Sequence, residues 1–309
     1  MFEFLNNKNI LITGASGVIG SNLARAIRSS SNCTIHLNFL RDISSEFQNE
    51  NFILQKFDIT NSDLIKNTLS VYDFIFHCSG YGQPQKFCEN LQKTFKLNTE
   101  SVLNLLDHLK DGGKFIFIST SEIYSESCET KENSLITINP ENSRNSYILG
   151  KLFGESILKY CSRNIETKSI RVCLCYGEGF KKDDKRVLSE FIMKAVDDNH
   201  ISLKDDGSAI RSYIHIDDCV RAIANISNFS KYDIYNLGGD ESTTIGDLAK
   251  IISEISGCSL SFGLPDEGIK DSPKDARVCI SRYEEEFGTL NKISLKDGIK
   301  QLISWYENN

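Results

Sequence analysis

The run Lys8-Asn-Ile-Leu-Ile-Thr13 stops on Gly14-Ala-Ser-Gly17-Val-Ile-Gly20, and a helical pattern with Leu23, Ala24 and Ile27 on one side follows at once. Strand, glycine turn and helix in that order leave few folds open. Glycines let backbone N–H groups close in on a pyrophosphate at a helix N-terminus, where the macrodipole favours negative charge. Glycine turns also end strands for steric reasons alone, but the flanking strand and helix favour the dinucleotide reading. Gly14, Ser16, Gly17, Val18, Ile19 and Gly20 are therefore the first cofactor-binding candidates.

Thr34-Ile-His-Leu-Asn38 reads as a second strand. It ends where such a fold places an acid for the adenosine ribose, about 20 residues past the glycines. The residue here is Asn38. An amide hydrogen-bonds a ribose hydroxyl without repelling a 2′-phosphate, and Arg41 is near enough to meet such a phosphate, while Asp42 weighs against one. NAD is the expected cofactor, with NADP left open. Phe52-Ile-Leu-Gln-Lys-Phe57 is a third strand ending in Asp58-Ile59, and Asp73-Phe-Ile-Phe-His77 a fourth ending in Cys78-Ser79-Gly80. A helical stretch from about Phe87 to Leu109, with Asn98 inside it, precedes a fifth strand, Lys114-Phe-Ile-Phe-Ile118. Strand ends at one edge line the cofactor crevice of such a sheet. Asp58, Ile59, Cys78 and Ser79 join the cofactor candidates, as does Asn98, whereas His77 is expected to be a packed strand-end residue. The alternation of strand and helix predicts the α/β class with a doubly wound parallel sheet, a Rossmann arrangement.

The 309 residues, 40% of them hydrophobic and 25% charged, suffice for one large or two modest domains. A formal net charge of -7 argues against a nucleic-acid or anionic-membrane partner, though not against a local basic pocket for a phosphate ligand. No basic segment with an apolar run opens the chain, and no stretch reaches the ~18 apolar residues of a membrane span, so a cytoplasmic location is expected. The ten cysteines, Cys128 among them, form no C-x-x-C pair, which points to reduced thiols. Cys173 and Cys175 point the same way if they share a strand, and core packing is the expected role rather than metal binding. No metal is expected.

The fifth strand runs into Ser119-Thr-Ser-Glu-Ile-Tyr124, hydroxyls and a carboxylate at a strand's carboxyl end, where α/β sites form. After a loop with Pro140, Asn145-Ser-Tyr-Ile-Leu-Gly-Lys151 sets a phenol and an ammonium four residues apart on one helix face. Of the 11 tyrosines only Tyr147 has a lysine at that offset, a pairing that chance alone also supplies, so its neighbours carry the case.

The ordered set Thr13-Gly14-Ala-Ser-Gly17-Val-Ile-Gly20, Asp58-Ile59, Ser119-Thr120-Ser121-Glu122-Ile-Tyr124 and Tyr147-x-x-x-Lys151 resembles the extended short-chain dehydrogenase/reductase family, in its nucleotide-sugar epimerase, dehydratase and decarboxylase branch. Arg171-Val-Cys-Leu-Cys-Tyr-Gly-Glu-Gly179 is similar to a strand and turn of that family, with Leu174 in place of asparagine and Glu178 in place of proline. The resemblance implies a dinucleotide-binding domain over 1–175 and a smaller C-terminal substrate-binding domain over 176–309, with about 210–240 returning to the first. It further implies a homodimer built on helices near 87–109 and 144–163, and a nucleotide-sugar substrate held by Ser121, Arg186, Arg211 and Arg277.

The implied chemistry removes a hydride from a sugar C4 alcohol, with Tyr147 as base, Lys151 favouring the phenolate and bonding the nicotinamide ribose, and Thr120 holding the reacting oxygen. A phenol near pKa 10 needs such help at neutral pH. Glu122 resembles the carboxylate of members that go on to eliminate or decarboxylate, because a C4 ketone acidifies the C5 proton. Ser121 stands where a dTDP-glucose-type dehydratase has an aspartate, and Ser79-Gly-Tyr-Gly-Gln-Pro84 differs from the proline-rich loop of a typical decarboxylase. The expected function is C4 oxidation followed by dehydration, decarboxylation or release of the keto sugar. A 4-epimerase, a 4-keto reductase and a non-catalytic dinucleotide sensor are the alternatives.

Overall fold

The computed structural model describes residues 1–49, 51–127, 129–139, 141–142, 144–161, 164–180, 184–239, 242–264 and 273–308. Cys128, Pro140 and the end of the 144–163 stretch lie outside the described residues. The elements in chain order begin with β1 (Asn9–Thr13), α1 (Val18–Ser30), β2 (Thr34–Phe39), α2 (Glu46–Asn49), β3 (Phe52–Lys56), α3 (Ser62–Thr68) and β4 (Tyr72–His77). They continue with α4 (Pro84–Glu89), α5 (Leu91–Asn98), α6 (Glu100–Leu106), β5 (Leu109–Thr120), α7 (Asn145–Cys161), β6 (Glu166–Val172) and β7 (Leu174–Tyr176). The remainder comprises α8 (Val187–Asp197), β8 (His200–Ser202), β9 (Ile210–His215), α9 (Ile216–Phe229), β10 (Ile234–Leu237), β11 (Ser242–Thr244), α10 (Ile245–Ser256), β12 (Ser259–Ser261), β13 (Asp275–Ala276), α11 (Ser281–Phe287) and α12 (Leu295–Glu307).

Seven strands form one parallel sheet in the order β10-β6-β5-β4-β1-β2-β3. Alternating residues of the inner strands are buried on both faces, as a helix-covered parallel sheet demands. Ile10, Ile12, Phe74, Phe76, Ile116 and Ile118 pack with Leu23, Ala24 and Ile27 of α1 and Ala222 and Ile223 of α9. Leu11, Ile75, Phe115 and Phe117 pack on the other face with Ile65 of α3, Leu97 of α5, Val102 of α6 and Ile157 of α7. This is the doubly wound α/β arrangement the alternation of motifs predicts.

A second core gathers Tyr176, Leu188, Phe191, Ile192, Tyr213, Leu248, Ile252 and Ile299. It lies under the short strands β7, β9, β11 and β13, with β9 pairing β7 and β13 in parallel and β11 in antiparallel fashion. The chain crosses back between the two cores, since β10 pairs with β6 in the large sheet.

Two local readings change. The helical stretch after Phe87 is three short helices, broken at Asn90 (φ −125°, ψ 51°) and Thr99 (φ −125°, ψ −79°). Asn90 donates its amide to the Lys86 carbonyl and Thr99 its hydroxyl to the Phe95 carbonyl, the side-chain competition with the backbone that unseats such residues from helices. Cys173 and Cys175 share no strand: β6 ends at Val172 and β7 begins at Leu174. Among the described residues no group of three His, Cys, Asp or Glu could hold a metal ion, and no helix is long and apolar enough to cross a membrane.

Candidate active site

A cleft of about 600 Å³ opens at the carboxyl ends of the large sheet's strands, between the two cores. Its wall contains every cofactor-side candidate except Asn98: Gly14, Ser16 to Gly20, Asn38 and Arg41, Asp58 and Ile59, Cys78 and Ser79. Asn98 stands behind the wall, 1% exposed, with its amide donating to the Thr94 carbonyl and its side chain facing Gly150 of α7. Asn98 was expected among the cofactor-binding residues, and its buried Oδ1 has no hydrogen-bond partner among the described residues.

The glycine turn is shaped for close approach. Gly14 has φ +66°, and a Cβ there would lie 2.7 Å from the backbone of Cys78 and Ser79. Gly17 caps α1 in an extended conformation with no side-chain cap, and no acidic residue stands in the first turn. The turn therefore offers an anion backbone N–H groups and the positive end of a 13-residue helix. Asn38, 2% exposed, donates its amide to the Gln55 and Phe57 carbonyls, so its orientation is fixed and its oxygen is an acceptor suited to a ribose hydroxyl. Burial pushes the Asp58 carboxyl up, but bonds from Lys93 and Thr60 outweigh it and hold the group below its ordinary value. These residues fit a bound dinucleotide. Gly14→Ala is expected to weaken NAD binding at least tenfold, measured by calorimetry; unchanged affinity would contradict this account of the turn.

The 3₁₀ turn Ser121–Tyr124 and helix α7 bring the reactive groups together: Thr120, Ser121, Glu122, Tyr147 and Lys151 all line the cleft. Thr120 caps the turn through its hydroxyl, which accepts from the Glu122 N–H at 3.2 Å and is also a hydrogen-bond partner of Tyr147. Burial pushes Tyr147 above the ordinary tyrosine range, and the Glu122 charge pushes it further; Thr120, Arg144 and Arg186 act in the opposite direction. Phe87 stacks on the phenol at 4.5 Å between centroids. Lys151, 4% exposed, donates from Nζ to the Ile118 carbonyl at 2.7 Å and lies 6.0 Å from the Tyr147 ring centroid.

Burial pulls Lys151 down to about 8. An unfolded lysine titrates near 10.4, so the buried ammonium costs stability at every pH below about 8, and the cost fades as pH rises from there toward 10.4. Lys151→Met is expected to raise the thermal midpoint at pH 7, with the gain shrinking toward pH 10, even as activity is lost; a lower midpoint at pH 7 would contradict this. His77 is fully buried and held neutral, pulled down to about 3 by desolvation. Its Nε2–H donates to the Leu97 carbonyl and its Nδ1 accepts from the Thr13 hydroxyl, which makes it a strand-end anchor.

The substrate-side candidates Arg186, Arg211 and Arg277 also line the cleft. Arg186 is paired with Asp184 at 2.6 Å and Arg277 with Asp275, while Arg211 donates to the Ile210 carbonyl. Sequence reasoning missed Arg144. It stands three residues before Tyr147 and pairs with Glu122 at 2.8 Å, and that one-turn spacing was the available signal. Beneath the site, Glu155 of α7 takes bonds from Ser119 at 2.5 Å and Arg171 at 2.7 Å, and Arg171 also donates to the Tyr124 hydroxyl at 2.6 Å. This buried network ties α7 to the end of β5.

Residues 10–238 match the model of the NAD dependent epimerase/dehydratase family. UDP-glucuronic acid decarboxylase 1 of Arabidopsis thaliana is 26% identical over 304 residues, covering 97% of this chain and 70% of that protein. The Danio rerio protein of the same name is 27% identical over 313 residues, covering 97% and 73%. Among solved structures, a UDP-glucose 4-epimerase from Thermotoga maritima with UDP-glucose superposes with a TM-score of 0.85 at 22% identity, covering 97% and 99% of the two chains. MoeE5 in complex with UDP-glucuronic acid and NAD gives 0.80 at 18% identity, covering 97% and 99%. At these identities the structural likenesses speak for the fold. The chain belongs to the NAD-dependent epimerase/dehydratase family, as its ordered motifs led us to expect, and its cofactor is NAD.

Proposed function

We propose that this family member oxidises a nucleotide-activated sugar at C4 and then releases carbon dioxide from a C6 carboxylate. The observation that carries the reading is the convergence of Thr120, Glu122, Tyr147 and Lys151 on one cleft that Arg186, Arg211 and Arg277 also line. The glycine turn, Asn38 and the end of β4 would hold NAD, which would supply the hydride acceptor and a positive charge. Tyr147 takes the C4 hydroxyl proton onto Oη, and Thr120 orients the reacting oxygen beside it. Lys151 contributes its charge and donors from behind the phenol. The arginines suit a diphosphate, with planar donor forks that offset the acidic net charge locally.

Once C4 is a ketone, a C6 carboxylate lies β to it. Breaking the C5–C6 bond releases carbon dioxide and leaves the electron pair delocalised onto the C4 oxygen, where Thr120 and Tyr147 donate hydrogen bonds. This route asks for no acid to protonate a departing hydroxyl. That suits Ser121, a residue with no acidic proton to give at neutral pH, and the decarboxylase names of the relatives support it. Mass analysis of the product from UDP-glucuronate and NAD tests the reading. Loss of carbon dioxide is expected; an unchanged mass would make the protein an epimerase, and turnover of UDP-glucose with loss of water would make it a dehydratase.

We assign the dinucleotide to residues 1–175 and the nucleotide sugar mainly to 176–309, with about 210–240 returning to the first domain, in a cytoplasmic homodimer. The dimer is supported by the exposed Leu91, Phe95, Leu103, Leu149, Phe153 and Tyr160 on helices α5, α6 and α7. Light scattering is expected to give the dimer mass at micromolar concentration, and a monomer there would overturn this assignment.

A further inference from the structure

We propose that Arg144 is a positioning residue for the oxidation step, clamping Glu122 and holding a compensating positive charge beside Tyr147, and acting through those two side chains rather than by touching the sugar. The inference rests on the reading of Tyr147 as the base. Three geometric facts carry it.

Arg144 is rigidly tied to the helix that bears the phenol. Its backbone carbonyl accepts the Tyr147 N–H at 3.1 Å, and its own N–H is held by the Asn142 side chain at 2.9 Å. Next, its guanidinium reaches back over the cleft wall to Glu122, an ion pair of 2.8 Å between side chains only 15% and 22% exposed. Finally, the guanidinium carbon lies 5.7 Å from the centroid of Phe87, the ring that stacks on Tyr147. The cation, the carboxylate and the phenol thus share one partly desolvated corner, where a unit charge acts more strongly than in water. Among the described residues the buried Nε of Arg144 has no hydrogen-bond partner, and Glu122 and the face of Phe87 hold the group. A planar fork meets both demands and an ammonium does not.

Glu122 alone would oppose loss of the phenolic proton, and Arg144 beside it acts in the opposite direction. Other charged or titratable groups also line the cleft with Tyr147, Lys185 and Tyr124 among them. Arg186 precedes α8 and is paired with Asp184. Arg211 lies on β9, and Lys86 of α4 also lines the cleft. Lys93 of α5 is occupied by Asp58. Lys151 is on the same helix, Cys78 and the neutral His77 stand at the end of β4, and Glu155 is turned away onto Arg171. Arg211 also carries positive charge near Glu122, while Arg144 makes the direct ion pair at 2.8 Å.

The test is the titration of Tyr147 in the NAD-loaded protein, followed by NMR of tyrosine labelled with carbon-13 at Cζ, with Tyr147→Phe identifying the signal. Arg144→Gln is expected to raise the midpoint by about one pH unit and Glu122→Gln to lower it by about one, the size expected of a unit charge in a partly buried corner. The double variant is expected to return to within a few tenths of a unit of the wild type, and Arg144→Lys to restore most of the midpoint but not the rate of sugar oxidation. If the single variants leave the midpoint in place, or Arg144→Gln raises the KM for UDP-glucuronate tenfold with kcat unchanged, Arg144 binds substrate or is merely structural, and the inference fails. If Tyr147→Phe keeps full turnover, the base assignment fails first and takes this inference with it.

Discussion

Tyr147→Phe is expected to lower turnover of the nucleotide sugar by about 10²–10⁴-fold, the usual contribution of a positioned general base. Binding of NAD and of UDP should change little, because the phenol contributes one hydrogen bond with Thr120 and a stacked ring with Phe87, and phenylalanine keeps the ring. The burial that pushes Tyr147 above its ordinary range explains why the group is inert until positive charge gathers around it. Calorimetry for both ligands, together with turnover assays, separates the two effects. Turnover within a few-fold of the wild type would remove Tyr147 from the chemistry.

The largest effect on stability is expected from Arg171→Met. Arg171 is 3% exposed and joins β6 to α7 through Glu155, to the 3₁₀ turn through Tyr124 and to the Glu132 carbonyl. Removing the cation strands the Glu155 charge in the interior, at a cost of about 3–5 kcal/mol. Thermal unfolding should then begin roughly 10 °C lower for a chain of this size. Arg171→Met combined with Glu155→Leu should recover at least half of the loss, since an apolar pair avoids the stranded charge. A single variant within about 1 kcal/mol of the wild type would mean that water reaches Glu155 and the network is not closed.

What the sequence made legible was local. The glycine turn, the strand ends and the Tyr147–Lys151 spacing are each set within a few residues, where backbone sterics and helical periodicity act directly. Those features also fixed the fold class, because strand and helix periods alternate in order. The burial of Asn98 was not legible, for the opposite reason: its helix was, but the face on which α7 settles depends on Gly150 and Gly154, residues far along the chain. The Arg144–Glu122 pair joins residues 22 positions apart across a loop, and the Phe87–Tyr147 stack joins two helices. No periodicity encodes either contact. The breaks at Asn90 and Thr99 were signalled by residue type, yet the apolar pattern running through them masked the signal.

The central claim is that chemistry begins by oxidation at C4, and it is tested most directly by following a label from that carbon. UDP-glucuronate carrying deuterium at C4 would be turned over by the protein loaded with unlabelled NAD, the reaction quenched early, and the cofactor recovered for mass analysis. The account predicts deuterium in the recovered nicotinamide, together with a product lacking carbon dioxide. Carbon dioxide released while no deuterium passes through the cofactor at any time within a single turnover would contradict it.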